Sequence, residues 1–450
     1  MRKTRYSHQL DGSAAVRAAP NGSLPLWMGC RTGKTLTAID AVDTPALVIC
    51  PVSVIASWVN ELTGDGVDPE QIQVVSKMNQ NLLLTHCDWT LINYEKVKKL
   101  DALRVREDLP AGAGILPWNT VVADESYRMH NHESGIAEYL LRYKPPAGER
   151  RMLLSGSPAS ENIINFASQY LFLYGSYFGC TSVGEYLHKY FKWNEWSFKW
   201  EQRDYSHTAE VRDYVQKSSF CVTMQELGMG CQIFREQVSV TLNEEQQKLL
   251  RWLAIAQTYG EQGDEKLFNP LVRVGFEAKI ASGVHPLSNE IINNAKQQCV
   301  VQMYKDKPQP MLILSRFKAP LYEMQRLLLE KCNLEVDIIH GGTKKEDREL
   351  FRLKFQNAEV DIIICQVETI KMGLSFSRLK YIVYLSNSFS CDSRVQSEER
   401  GQLANRSESY TILDIVSEGT GDAELVELLR NKEYNSSYYV KRNSEITGEF

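Results

Sequence analysis

Lys34 stands between Gly33 and Thr35, with Gly29 just upstream and the apolar-periodic stretch Leu36, Ala38 and Ile39 after it. A loop entering a helix at this point aims backbone N–H groups and the positive end of the helix dipole at a phosphate. Gly33 lets the backbone approach closely, Lys34 can neutralise β- and γ-phosphate charge, and the Thr35 hydroxyl can ligate Mg²⁺. A strict phosphate-loop pattern also needs glycine at position 28, where this chain has Met28, so the match is partial. The competing explanation is a chance Gly-Lys-Thr at a helix start. A second group of residues weighs against it. The β-branched run Val121, Val122 ends in the adjacent carboxylates Asp124 and Glu125. At the C-terminal edge of a parallel strand, Asp124 could hold Mg²⁺ and Glu125 could orient or deprotonate an attacking water. An exposed acidic turn is the bland alternative, but loop, helix and acidic strand follow one another in the order a nucleotide motor requires.

Composition narrows the remaining chemistry. With 51 Lys+Arg against 56 Asp+Glu, the 450-residue chain has a formal charge of −5, which excludes binding nucleic acid by bulk positive charge but leaves local basic grooves open. A hydrophobic fraction of 43% with 24% charged residues excludes a largely disordered chain. The ten cysteines form no CxxC pair and no zinc spacing with histidine, and read as reduced, mostly buried thiols of a cytosolic protein. There is no Gly-x-Ser-x-Gly elbow, no nucleophile–histidine spacing and no nuclease-like carboxylate cluster. No run of about 20 apolar residues suggests a membrane span, and the N-terminus lacks the apolar core of a signal peptide.

The elements that must position these residues are short apolar runs at 46–50, 89–92, 120–123, 152–154, 311–314, 336–339, 360–365, 381–385 and 410–413. Runs apolar on both faces suit parallel strands covered by helices on each side. Helical patterns alternate with them, at 34–42, 319–331 and 346–355. The expected fold is α/β: two doubly wound parallel-sheet lobes, residues 1–175 and 305–450, with a mainly helical insert at 176–304 between them. Trp193, Trp196 and Trp200 in the insert are spaced to share one helix face, which favours packing over base stacking.

In this order the residues resemble the superfamily-2 helicases and translocases, specifically the Swi/Snf-like branch and its compact phage and bacterial members. Arg5, Tyr6 and Gln9 look like the upstream glutamine element, and residues 29–35 resemble motif I. Pro51, Ser53 and Trp58 resemble motif Ia, Asn93 and Tyr94 motif Ib, Asp124 and Glu125 motif II, and residues 154–158 with Asn162 motif III. The series continues through Ser315, Arg316 and Phe317 as motif IV and through His340, Gly341, Gly342 and Arg348. It ends with residues 369–375 as motif V, and with Gln396 and Arg400 as motif VI.

The resemblance implies two RecA-like lobes that hydrolyse ATP with Mg²⁺ between them and move along DNA. It places Tyr6 and Gln9 at the adenine. Gly29, Thr32, Gly33, Lys34, Thr35 and, from motif V, Gly373 fall around the nucleotide, with Thr35 and Asp124 at the metal. Lys34, Asp124, Glu125, Gln396, Arg400 and Arg406 would be catalytic. Two departures stand out: Arg31 occupies a position where relatives often have glycine, and Leu403 stands where motif VI has its second arginine. Arg400 is expected to contact the γ-phosphate, with Arg406 partly filling the missing role.

Candidate backbone contacts on nucleic acid are Ser53, Asn93, Tyr94, Lys96, Gly341, Gly342, Thr343, Thr369 and Lys371. The cationic stretch 96–106 reads as a solvated helix face. Duplex or branched DNA is favoured over RNA by analogy with helical protrusions in the same place in Swi/Snf-like proteins. The implied setting is replication, recombination or repair in bacterial or phage-infected cytoplasm. Two other readings stay open at this level: a relative that binds DNA or a partner but hydrolyses ATP weakly, and an RNA helicase.

Overall fold

The computed structural model describes residues 3–75, 87–99, 118–142, 149–156, 158, 163–195, 199–204, 206–259, 270–370, 376–401 and 408–440. Its Cα packing divides the chain into two units, Met1–Gly228 with Tyr434–Phe450, and Met229–Glu433. Among the described residues no helix is long and apolar enough to cross a membrane.

The first unit is built on seven strands: β1 (Leu24–Met28), β2 (Ala46–Cys50), β3 (Ile72–Val74), β4 (Trp89–Asn93), β5 (Thr120–Asp124), β6 (Arg150–Ser155) and, after a two-stranded hairpin, β9 (Phe220–Val222). Their order across the sheet is β3-β4-β2-β5-β6-β1-β9, with every pair parallel. Alternation explains why both faces are covered. Leu47, Ile49, Val121, Ala123 and Leu153 face a core shared with helices Ile164–Tyr174, Val183–Tyr190 and Ser206–Lys217. Their neighbours Leu26, Met28, Val48, Val122 and Leu154 face a second core with Ala38, Trp58 and Leu62 of helices Lys34–Ala41 and Val52–Gly64.

Strand β1 is central yet carries Pro25, a residue that argues against a central strand. The structure resolves this: pairing with β9 begins only at Leu26, so Pro25 sits where β1 has one neighbour, β6.

The second unit holds β10 (Ile233–Val240), β11 (Met311–Ser315), β12 (Ile338–Ile339), β13 (Ile362–Gln366), β14 (Tyr381–Tyr384) and β15 (Tyr410–Ser417) in the order β10-β15-β14-β11-β13-β12, again all parallel. Met311, Ile313, Ile364 and Ile415 pack on helices Ala295–Asp306 and Lys318–Cys332, while Leu312, Leu314, Ile363 and Ile412 pack with Phe355 and Phe376 on the other face. Both sheets are therefore doubly wound, as the apolar runs imply.

The stretch 176–304 is mainly helical but not wholly so. Its aromatic series departs from the expected helix: Phe191–Asn194 (β7) and Lys199–Gln202 (β8) form an antiparallel hairpin in which Trp193 is opposite Trp200, ring centroids 5.5 Å apart. The separation that would align these two tryptophans on a helix face also sets them opposite each other across a short turn. Aromatic side chains gain more from that cross-strand pairing. Trp196 lies outside the described residues.

Candidate nucleotide site

Because all strands of the first sheet are parallel, the C-terminal ends of β1, β2, β4, β5 and β6 share one edge. That edge carries the chemistry. From Met28 at the end of β1 the chain turns through residues 29–33 into helix Lys34–Ala41. Gly33 caps the helix with φ 88, and Arg31 also adopts a left-handed backbone, φ 61. The Thr32 hydroxyl donates to Gly29 O at 2.7 Å, and Lys34 Nζ donates to Met28 O (2.8 Å) and Gly29 O (3.2 Å). The loop thus curls around its own ammonium group. Thr35 is half-buried in the first turn.

The N-terminal helix Ser7–Ala18 is fastened to this loop. His8 Nε2 is 2.7 Å from Thr32 O, and Gln9 Nε2 donates to the same carbonyl at 3.3 Å. The other end of the Gln9 amide accepts from Tyr6 N at 3.0 Å, while the Tyr6 side chain is exposed. Arg5 anchors the segment. Its guanidinium reaches Asp40 (Nε–Oδ2 2.6 Å) and Asp65 (Nη2–Oδ2 2.8 Å), and these hydrogen bonds hold its pKa above the usual arginine value.

β5 is separated from β1 by β6 alone, which sets their ends about 10 Å apart at normal strand spacing. Asp124 ends β5 and is buried. Its Oδ2 accepts from Trp58 Nε1 (2.8 Å), its Oδ1 from Glu125 N (2.9 Å), and its carbonyl from the Tyr94 hydroxyl (2.8 Å). Burial raises the Asp124 pKa, opposed by the Trp58 hydrogen bond and the Lys34 charge, so the lysine and the carboxylate act on each other. Glu125 follows with φ 52 and is half-buried. Gly156, after β6, is positioned so that a Cβ there would be 3.6 Å from both Lys34 Nζ and Cys30 N.

The other predicted residues divide by burial. Ser53 is exposed in the first turn of helix Val52–Gly64, beyond β2, and Lys96 donates to Val75 O at 3.3 Å. Asn93 is buried and donates to Glu95 at 2.5 Å. Tyr94 is fully buried, with its hydroxyl committed to Asp124, so its side chain is a prop for the acidic strand rather than a surface contact. In the second unit Gly341 and Gly342 are exposed in the turn after β12, and Gly342 N donates to His340 Nδ1 at 3.0 Å. Thr343 is half-buried, and its hydroxyl accepts from His340 N at 3.0 Å. Thr369 is 3% exposed, which withdraws its hydroxyl from the surface. Gln396 and Arg400 are half-buried at the end of helix Cys391–Glu398. Lys371, Gly373, Leu403 and Arg406 lie outside the described residues, as do Ser157 and Asn162.

Sequence reasoning missed three features. They are the His8 contact to the loop, the bond from Trp58 to Asp124, and a buried ion network in which Arg394 binds Asp414 (2.5 and 2.9 Å) and stacks 3.8 Å over Tyr384. Only the order Trp58, Asp124 within recognisable motifs hinted at the second.

Residues 5–218 match the SNF2-related domain, and residues 295–402 match the helicase conserved C-terminal domain. The chain belongs to the Swi/Snf-like branch of the superfamily-2 helicases and translocases, and its two parallel-sheet units are the two RecA-like lobes of that family. It is 28% identical over 182 residues to the probable ATP-dependent DNA helicase CHR12 of Arabidopsis thaliana, covering 34% of this chain and 15% of that protein. It is 29% identical over 160 residues to the ATP-dependent DNA helicase DDM1 of the same plant, covering 32% of this chain and 19% of that protein. The chain therefore spans under a fifth of the length of these relatives. The Sulfolobus solfataricus SWI2/SNF2 ATPase core in complex with dsDNA aligns with a TM-score of 0.45 at 18% identity, covering 99% of this chain and 97% of that one.

Proposed function

We propose that this protein is an ATP-driven DNA translocase in which nucleotide hydrolysis at the Lys34–Asp124 edge drives movement on DNA. The carrying observation is that Lys34 and Asp124 emerge from one parallel-sheet edge and influence each other electrostatically, inside a segment matching the SNF2-related domain. The relatives named as ATP-dependent DNA helicases support the same reading.

The residues fit ATP with Mg²⁺. An ionised carboxylate offers about four acceptor directions, and the contacts described above from Trp58 and Glu125 take one on each Asp124 oxygen. Asp124 and Thr35 are the residues that would hold Mg²⁺, which when bound neutralises phosphate charge. Lys34 is placed to trade its loop carbonyls for phosphate oxygens at the start of helix Lys34–Ala41, where the helix dipole favours an anion. Glu125 orients the attacking water and takes its proton. Tyr6 and Gln9 flank the adenine, and Gln9 ties that contact to Thr32. Arg400, Arg406 and Gly373 are the second unit's candidates for a role in hydrolysis. Ser53, Lys96, Gly341, Gly342 and Lys371 track the DNA backbone. Replication, recombination or repair in a phage or bacterial setting is the process this reading favours.

The test is phosphate release by wild type and Lys34→Ala with single-stranded, duplex, forked and branched DNA and with RNA. DNA-dependent turnover lost in the variant is the expected result. Equal low rates in both proteins would instead favour a DNA-binding relative without hydrolysis.

A further inference from the structure

The two segments proposed to track DNA in the first unit are both tied to one residue, Asp124. Helix Val52–Gly64 begins next to Ser53 and carries Trp58, whose indole N–H donates to Asp124 Oδ2 at 2.8 Å. β4 ends at Asn93, and the hydroxyl of the next residue, Tyr94, donates to Asp124 O at 2.8 Å. Trp58 and Tyr94 are each fully buried, and Trp58 is braced by Trp89 with ring centroids 6.4 Å apart. Neither side chain can reach a ligand. Packing alone would not need either bond, because Phe and Leu fill such positions without a buried polar atom. Both bonds instead end on the carboxylate strand, one on the side chain and one on the main chain.

Resting on the DNA-translocase reading, we propose that Trp58 and Tyr94 are positioning residues that transmit DNA binding at the segments beginning at Ser53 and Asn93 to the orientation of the Asp124 carboxylate. A shift of helix Val52–Gly64 on binding a strand moves the indole. The indole in turn rotates the carboxylate that would hold Mg²⁺, while the Tyr94 hydroxyl acts on the main chain that carries Glu125. The link runs through two hydrogen bonds inside one packed unit and needs no lobe movement. It predicts that DNA stimulation and metal affinity change together.

The experiment compares wild type, Trp58→Phe, Tyr94→Phe and Leu62→Ala, the last removing buried apolar volume from the same helix without touching Asp124. Three quantities are read: Mg²⁺ dependence of binding to a fluorescent ADP, the ratio of DNA-stimulated to basal phosphate release, and the melting temperature. Trp58→Phe and Tyr94→Phe should raise the half-saturating Mg²⁺ concentration several-fold and cut the stimulation ratio at least threefold. Leu62→Ala should lower the melting temperature and leave both other readouts unchanged. Tyr94→Phe, which removes only a hydroxyl, keeps the test open should Trp58→Phe fold poorly. Unchanged Mg²⁺ dependence and stimulation in Tyr94→Phe and in folded Trp58→Phe overturn the inference while leaving the ATPase reading intact. A wild type that shows no Mg²⁺-dependent nucleotide binding overturns that reading, and the inference with it.

Discussion

The side chain of Gln9 is packed so closely on Gly33 that a Cβ at Gly33 would lie 1.9 Å from Gln9 Nε2. Two constraints therefore meet at one glycine: close approach of the N-terminal helix, and a left-handed backbone with φ 88. Gly33→Ala should weaken nucleotide binding at least tenfold and destabilise the protein by about 1–2 kcal/mol for the backbone alone. Adding Gln9→Ala should recover part of the stability lost, because it removes the clash but not the strain. A double-mutant cycle by urea unfolding measures that recovery, and additivity would mean that the amide is not the obstacle.

Arg5 is a second anchor with a geometric signature. Its planar fork spans both oxygens of Asp40 and both of Asp65 at 2.6–2.9 Å, which a lysine cannot do. Arg5→Ala leaves two partly buried carboxylates without this partner and should cost about 3 kcal/mol. Arg5→Lys should restore less than half of that loss. Since the segment holds Gln9 on the phosphate loop, both variants should raise the KM for ATP more than they lower kcat.

How much of this was legible before folding depended on whether the signal was local. Strands β2, β4, β5, β11 and β14 read directly from β-branched runs, and the helix at Lys34 from its glycine and apolar period. Strand β1 did not, because Pro25 disguises it, and its admissibility rests on which neighbour it pairs with, a long-range fact. Strands β3, β9 and β10 are short or exposed and lack a strong apolar run. At the site, Lys34 and Asp124 were visible because their chemistry lies in the residues themselves. The roles of Trp58, Tyr94 and His8 were not, since each depends on a contact spanning 24 to 66 positions.

Asp414 supplies a pH dependence. Burial alone would raise its pKa, but the Arg394 charge and hydrogen bonds outweigh this and hold it below the ordinary 3.8. A depressed carboxylate contributes stability that is present above its unfolded value and is lost as pH falls through the folded one. Hydrogen exchange of β14 and β15 should therefore accelerate as pH is lowered beneath about 4, after correction for intrinsic exchange rates. Asp414→Asn should lose this acid-dependent step and should be less stable at neutral pH by about 3 kcal/mol. An unaltered acid transition in the variant would show that another carboxylate controls it.

Lys34→Ala separates chemistry from folding. The Lys34 ammonium donates to the carbonyls of Met28 and Gly29 from a half-buried side chain. Removing it should change stability by no more than about 3 kcal/mol, the upper end of the range for hydrogen bonds to a charged group. The same cation at a triphosphate acts where charge develops during transfer, and its loss should lower DNA-stimulated turnover at least about a hundredfold. DNA affinity without nucleotide should be retained, since Lys34 lies in the phosphate loop rather than on the segments beginning at Ser53 and Asn93. A variant that melts near the wild-type temperature and binds DNA, but releases no phosphate above background, is the expected combination. Loss of all three properties together would instead assign Lys34 a structural role.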